Sequence, residues 1–103
     1  MIARLWHGWT DPEDADDYER LLREDLFPRF AEEVGNGYEG AALLRRADGA
    51  EVEFLTQGYF DSWDAIERFA GEEYEQAHVP PEAETLLARS EDRAVHYEVR
   101  EPR

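Results

Sequence analysis

The chain is 103 residues long, carries 13 aromatic side chains and no cysteine, and has a formal charge of −15. So acidic a body repels phosphate backbones and anionic lipid headgroups, which excludes nucleic acid and membrane surfaces as partners. Every basic residue is arginine, which excludes Schiff-base chemistry and a P-loop lysine, and the lack of cysteine excludes disulfides and thiolate nucleophiles or metal sites.

The length predicts one domain over residues 1–103. Met1 to Trp9 reads as a first strand, with Ile2, Arg4 and Trp6 on one side and Ala3, Leu5 and His7 on the other. Bulk on both sides is expected of a strand covered on two faces. Asp11-Pro12-Glu13-Asp14 then reads as a helix start. Asp11 is placed to cap free N–H groups, Pro12 suits the first turn, and the acids complement the positive end of the dipole. Ala15, Tyr18, Leu22 and Leu26 follow at helical spacing, with Leu21 beside them. Pro28 should kink or interrupt this helix near Leu26–Phe27. Phe30 and Val34 continue the apolar stripe, and Gly35-Asn36-Gly37 ends it.

Gly40 to Ala47 and Ala50 to Phe60 flank Asp48-Gly49, which predicts a hairpin closed by a type I′ turn. Asp61-Ser62 caps a second helix whose inner face carries Trp63, Ile66, Phe69 and Ala70, with a break at Gly71. Glu72 to His78 predicts one more short helical segment, Tyr74 and Ala77 inward, stopped by Pro80-Pro81. Glu82 to Arg89 reads as a short helix or as an arm against a partner chain, with Leu86 and Leu87 buried. Glu91 to Arg100 is the last strand, Val95, Tyr97 and Val99 alternating with Ala94, His96 and Glu98.

The order strand, helix, strand, strand, helix, strand defines an α+β, ferredoxin-like fold. One four-stranded antiparallel sheet carries both helices on one face. The other face is left bare, and a second copy of the chain is its simplest cover. No apolar run approaches the ~20 residues of a membrane span, and no signal-peptide pattern is present, so the cytoplasm is the expected location.

Arg4 stands between Ile2 and Trp6 on one strand face. A buried guanidinium needs an anionic partner or a ligand. It either pairs with an acid of a neighbouring strand, Glu98 or Glu53, or serves as a donor to a substrate enolate or carboxylate. His78 precedes a Pro-Pro loop, where a side chain can face a cavity, and is the candidate base. Glu75 and His78 have (i, i+3) spacing and His96 and Glu98 share a strand face, but closely spaced ligand pairs are otherwise absent and no metal is expected. His96 reads as a hydrogen-bonded sheet residue. Trp6, Tyr18, Trp63 and Phe69 are core residues or the wall of a flat, apolar cavity. Ser62 is accounted for as a cap, which leaves no Ser-His-acid triad.

The run Ser62-Trp63-Asp64-Ala65-Ile66-Glu67-Arg68-Phe69-Ala70-Gly71, the opening Met1-Ile2-Ala3-Arg4-Leu5-Trp6 and the ending His96-Tyr97-Glu98-Val99 resemble the antibiotic-biosynthesis-monooxygenase domain family. The resemblance spans nearly the whole chain. It implies a homodimer, a dimeric α/β barrel in which two sheets face each other and each subunit holds a cavity between sheet and helices. The family includes cofactor-independent monooxygenases of polycyclic aromatic substrates, haem-degrading oxygenases and members without an assigned activity.

The resemblance therefore implies an oxidoreductase, or a binding protein, for a small aromatic or enolic ligand. A phenol or enol is deprotonated and its anion reacts with O₂ directly, so no cofactor is expected. Arg4 becomes the anion stabiliser, His78 the base, and Trp6, Tyr18, Trp63 and Phe69 the pocket wall. The alternative is haem binding. That branch uses an Asn on the first strand, a Trp on the second helix and a downstream His on iron. Here His78 falls at the third position, Phe69 stands where the Trp would be, and the one Asn is Asn36 in a loop. The quinol-type set of Asn, Trp, Tyr and Arg lacks its Asn too. A third reading is a non-catalytic dimeric module whose cavity is filled by side chains.

Overall fold

The computed structural model describes residues 1–102. Strand β1 (Ile2–Thr10) runs through the middle of the sheet. On one edge it pairs with β3 (Glu51–Phe60), which pairs in turn with β2 (Tyr38–Asp48). On the other edge lie two short strands, β4 (Arg89–Ser90) and β5 (Val95–Glu98). Every pairing is antiparallel. The helical segments pack on one face, so this is the expected α+β, ferredoxin-like arrangement with its last strand in two pieces.

The last strand is shorter than the expected Glu91 to Arg100, its regular part being Val95–Glu98, and Arg89–Ser90 pairs with β1 ahead of it; the interruption has a physical cause. Between the pairs Gly8–Ser90 and Leu5–Val95, residues 91–94 stand opposite residues 6 and 7 alone. The surplus chain finds another partner. Gln76 bridges Arg93, the Ala77 N–H donates to the Asp92 carbonyl at 2.8 Å, and the Ala94 N–H donates to the Glu75 carbonyl at 2.8 Å. Residues 72–78 are therefore not helical. Apart from one turn, in which the Gln76 N–H donates to the Glu73 carbonyl at 3.0 Å, their backbone pairs with residues 92–94, and they form an irregular strap.

Two local expectations need adjustment. The Asp11 side chain makes no capping hydrogen bond; its backbone carbonyl accepts the Asp14 N–H at 3.0 Å in a 3₁₀ turn over Pro12–Asp14. The hairpin places Asp48 opposite Glu51, so Gly49 and Ala50 form the loop. Only Gly49 has a positive φ, 63°, which is the pattern of a type II′ turn rather than I′.

The first helix is α1 (Ala15–Leu21), a π turn (Leu22–Leu26) and α2 (Phe27–Val34) in series. Its apolar residues Tyr18, Leu22, Leu26, Phe30 and Val34 recur every four positions. In an ordinary helix of about 3.6 residues per turn such a row drifts by about 40° per step. The π turn under-winds the chain and brings the row back over the sheet. Its hydrogen bond runs from the Phe27 N–H to the Leu22 carbonyl. Pro28 falls in the first turn of α2, where a missing N–H costs little. The interruption near Leu26–Phe27 is thus a widened turn and not a break.

The Ser62 hydroxyl accepts the Ala65 N–H at 3.2 Å and starts α3 (Trp63–Ala70). Gly71, at φ 84°, ends it. The single turn α4 (Pro81–Glu84) sets Leu86 and Leu87, half-buried, against the core. Under the helices Tyr18, Leu22, Leu26, Phe54 and Ala83 form one apolar cluster, and Ile2, Val34, Phe60, Ala65 and Ile66 a second. The opposite sheet face is bare, with Leu44 and Val95 each 46% exposed and Tyr97 58%.

Candidate functional site

Between the two clusters lies a cavity of about 80 Å³. Three residues of one row across the sheet, Arg4, Gly58 and Ala41, make its floor. His96 on β5 pairs with Arg4 on β1, Arg4 with Gly58 on β3, and Gly58 with Ala41 on β2. The neighbouring row, Trp6, Thr56 and Leu43, carries larger side chains, and Ile2 pairs with Phe60 on the other side. Gly58 and Ala41 thus leave a gap where the sheet meets the helices. A Cβ on Gly58 would come within 3.1 Å of the Phe60 ring. Sequence reasoning passed over Gly58. A glycine inside a strand away from any turn was the available signal.

Arg4, Trp6, Tyr18, Phe69 and His78 all line this cavity. Trp63 does not. It is 42% exposed and packs against Tyr74 and His96, ring centres 5.4 and 5.7 Å away. The inner face of α3 is carried by Ala65 and Ile66, both fully buried, which turns Trp63 to the side. Phe27, Phe30, Tyr38 and Phe60 complete the aromatic wall. His78 is solvent-exposed and lies at the mouth, its ring 5.4 Å from that of Phe69 and 6.3 Å from that of Phe30.

Arg4 is only 7% exposed, and among the described residues no carboxylate lies within ion-pair distance of it. The expected partners are engaged elsewhere. Glu98 pairs with Arg100, and Glu53 with His7 and Arg46. The guanidinium instead donates to the carbonyls of Tyr74 and Gln76 in the strap, and contacts His96 Nε2 at 3.0 Å. It also lies over the Phe69 ring, 5.3 Å from its centre. Burial pulls its pKa down to about 10, so it stays cationic at neutral pH. Burial, then the neighbouring Arg4 charge, push the His96 pKa down, against a smaller upward pull from Glu75. A neutral imidazole follows, and it accepts from the guanidinium at Nε2.

Tyr18 adds a further polar group to the cavity wall. The Tyr18 hydroxyl has no protein hydrogen-bond partner although the residue is 1% exposed, and burial holds its pKa well above the ordinary phenol value. It is an O–H donor, not a phenolate. For metals, the pairs Glu75–His78 and His96–Glu98 do not gather a third ligand. Glu75 pairs with Arg93 outside any helix. Among the described residues the one converging trio is Asp11, Glu13 and Asp14 at the helix start, on the surface.

The cavity, with apolar aromatic walls and one buried cation, lies between the sheet and helices of a ferredoxin-like subunit and has the concave, mostly apolar form common to small-molecule pockets. No protein-family model matches the chain, and no curated protein matches its sequence. Solved structures do match its fold. Rv0793 from Mycobacterium tuberculosis aligns with a TM-score of 0.62 at 17% identity, over 98% of this chain and 96% of that one. A Bacillus cereus protein named "Putative Antibiotic Biosynthesis Monooxygenase" aligns with a TM-score of 0.58 at 13% identity, over 99% and 93%. The fold is therefore that of the antibiotic-biosynthesis-monooxygenase type. No helix of the described residues is long and apolar enough to cross a membrane.

Proposed function

We propose that the protein is a cytoplasmic homodimer, one domain per chain, that binds a small aromatic or enolic molecule under its helices and oxidises it with O₂ without a cofactor. The observation that carries this reading is Arg4, a buried guanidinium without a carboxylate partner on the floor of an apolar cavity. Such a group stabilises an enolate or phenolate better in a dry site than water does. His78 at the mouth takes the proton. Trp6, Tyr18 and Phe69 confine the ring, and Trp63 supports the strap from outside. A substrate with an acidic CH₂ beside a ring carbonyl balances the reaction unaided. Two C–H bonds break, one oxygen atom becomes a new carbonyl, and the other leaves as water.

Oxygen uptake with a panel of enolisable aryl ketones, in the presence of a chelator and without flavin, tests the reading. The expected result is one O₂ per substrate consumed, falling at least ten-fold in Arg4→Ala. Uptake no faster than without protein, with binding retained, would instead make this a non-catalytic binding module. The dimer is tested separately. The bare sheet face exposes Leu44, Val95 and Tyr97, a patch that a lone protomer leaves in water. Sedimentation should give twice the 12.0 kDa protomer mass, and a stable, folded monomer at micromolar concentration sinks this part.

The haem alternative through His78 fits less well. A cavity of about 80 Å³ holds only about five to eight water-sized spheres, far short of a porphyrin. What speaks for it is an exposed imidazole beside the Phe30 and Phe69 rings. Haemin titration decides: a Soret shift that His78→Ala abolishes supports it, and no shift removes it.

A further inference from the structure

The charge map of the cavity is the reverse of that of the chain. The sequence holds 26 acids and 11 arginines, yet no acid lines the cavity and one arginine does. Of the five N–H donors of a guanidinium, Arg4 commits three, to two strap carbonyls and to His96. None of these partners carries negative charge, because His96 receives the hydrogen bond as a neutral ring. Two donors and a full positive charge remain. The Tyr18 side chain lines the same cavity, and no protein group takes up its hydroxyl, whose oxygen is not sealed inside the protein as that of Thr10 is. A phenol O–H in that position is free to donate to whatever enters the cavity.

We infer that the cavity selects a compact, single-ring organic monoanion, its oxyanion received by Arg4 and a second oxygen by the Tyr18 hydroxyl. The inference rests on the small-molecule reading above and adds charge and size to it. Size follows from the volume of about 80 Å³, which admits one ring and not a fused system. The single charge follows from the single permanent cation: a dianion such as a phosphate monoester would carry a second charge into an apolar site where only His78, exposed at the mouth, could face it.

Calorimetric titration under argon with the three hydroxybenzoate isomers and their neutral amides tests this without turnover. The best-bound hydroxybenzoate should bind at least ten-fold more tightly than its amide. Tyr18→Phe, which removes a hydroxyl with no protein partner, should weaken that isomer about five-fold and leave the melting temperature unchanged. Arg4→Met should erase the preference for the anion, and the wild-type ratio stands as the readout should that variant not fold. Equal binding of acid and amide overturns the inference while leaving the cavity reading in place. Heat from neither overturns both, and unchanged affinity in Tyr18→Phe overturns the second contact.

Discussion

Arg4 and Arg45 occupy the same sheet face, and each lies over a phenylalanine ring, 5.3 Å from the centre of Phe69 and 5.6 Å from that of Phe54. Their surroundings part there. Arg45 reaches Asp16 at 2.9 Å and Glu19 at 3.1 Å on the first helix, and the hydrogen bonds it donates to these acids raise its pKa. Arg4 has carbonyls and a neutral histidine, and burial lowers its pKa. A chain with more than twice as many acids as bases has neutralised the surface arginine twice over and left the interior one without a counter-ion. Sheet position and ring contact are shared, so the difference lies in whether the protein itself or something from outside supplies the anion.

The rings beneath the two arginines give the largest expected effect. Phe54 is fully buried, so Phe54→Ala should cost about 3–5 kcal/mol in urea unfolding. Phe69 is half-buried at the cavity wall, and Phe69→Ala should cost about 1–2 kcal/mol, since part of its surface is already uncovered. Equal losses would mean that the cavity end is packed as tightly as the other and that the contrast is false.

The arginines come next. Arg45→Met should lower stability by no more than about 1 kcal/mol, as exposed ion pairs do. Arg4→Met should also stay within about 1 kcal/mol of wild type. Lost hydrogen bonds are offset there by relief from burying a charge. A loss of about 4 kcal/mol would reveal Arg4 as a structural brace of the strap.

Titration sharpens the contrast further. The groups that act on His96 are Arg4 and Glu75, and the net result is a folded pKa below 6.5. The unfolded chain therefore takes up this proton first as pH falls. The stability that neutral His96 contributes is complete above pH 6.5 and is lost progressively below it. Melting temperatures between pH 7.5 and 5.5 should fall more steeply for wild type than for His96→Gln; parallel curves would remove His96 from the account. The smallest effect belongs to Thr10, whose buried hydroxyl has no partner. Thr10→Val should raise stability by about 1 kcal/mol, and a loss instead would point to an ordered water on that oxygen.

The order of elements and the helix caps at Ser62 and Gly71 were legible in the sequence, because each rests on local spacing or chemistry, and five of the six candidate residues come to line one cavity. Arg4 drew notice as a charge between Ile2 and Trp6. Its partners could not be read, since the strap carbonyls come from 70 and 72 positions away. The strap itself looked helical, with Glu75 and His78 at helical spacing. What overrode that pattern was long-range pairing with residues 92–94, for which no local rule exists. Trp63 was misplaced by one helix face, because Ala65 and Ile66 are the smaller and better fit against the sheet. Gly58 is the instructive omission, since its information lies in a side chain that is missing.

The widened turn at Leu22–Leu26 has a bearing on how this protein tolerates change in length. One surplus residue sits there, absorbed without altering which way the flanking stretches look. Remove Glu24, exposed to solvent, and the greasy row from Tyr18 to Val34 would be spaced four, three, four, four, a rhythm that an ordinary helix of about 3.6 residues per turn accommodates unaided. The shortened chain should keep its far-ultraviolet circular dichroism and its fold. What it should forfeit is the contour of the chamber roof, because Leu26 slides roughly 1.5 Å along the axis toward Leu22; the extra residue shapes the room, not the house.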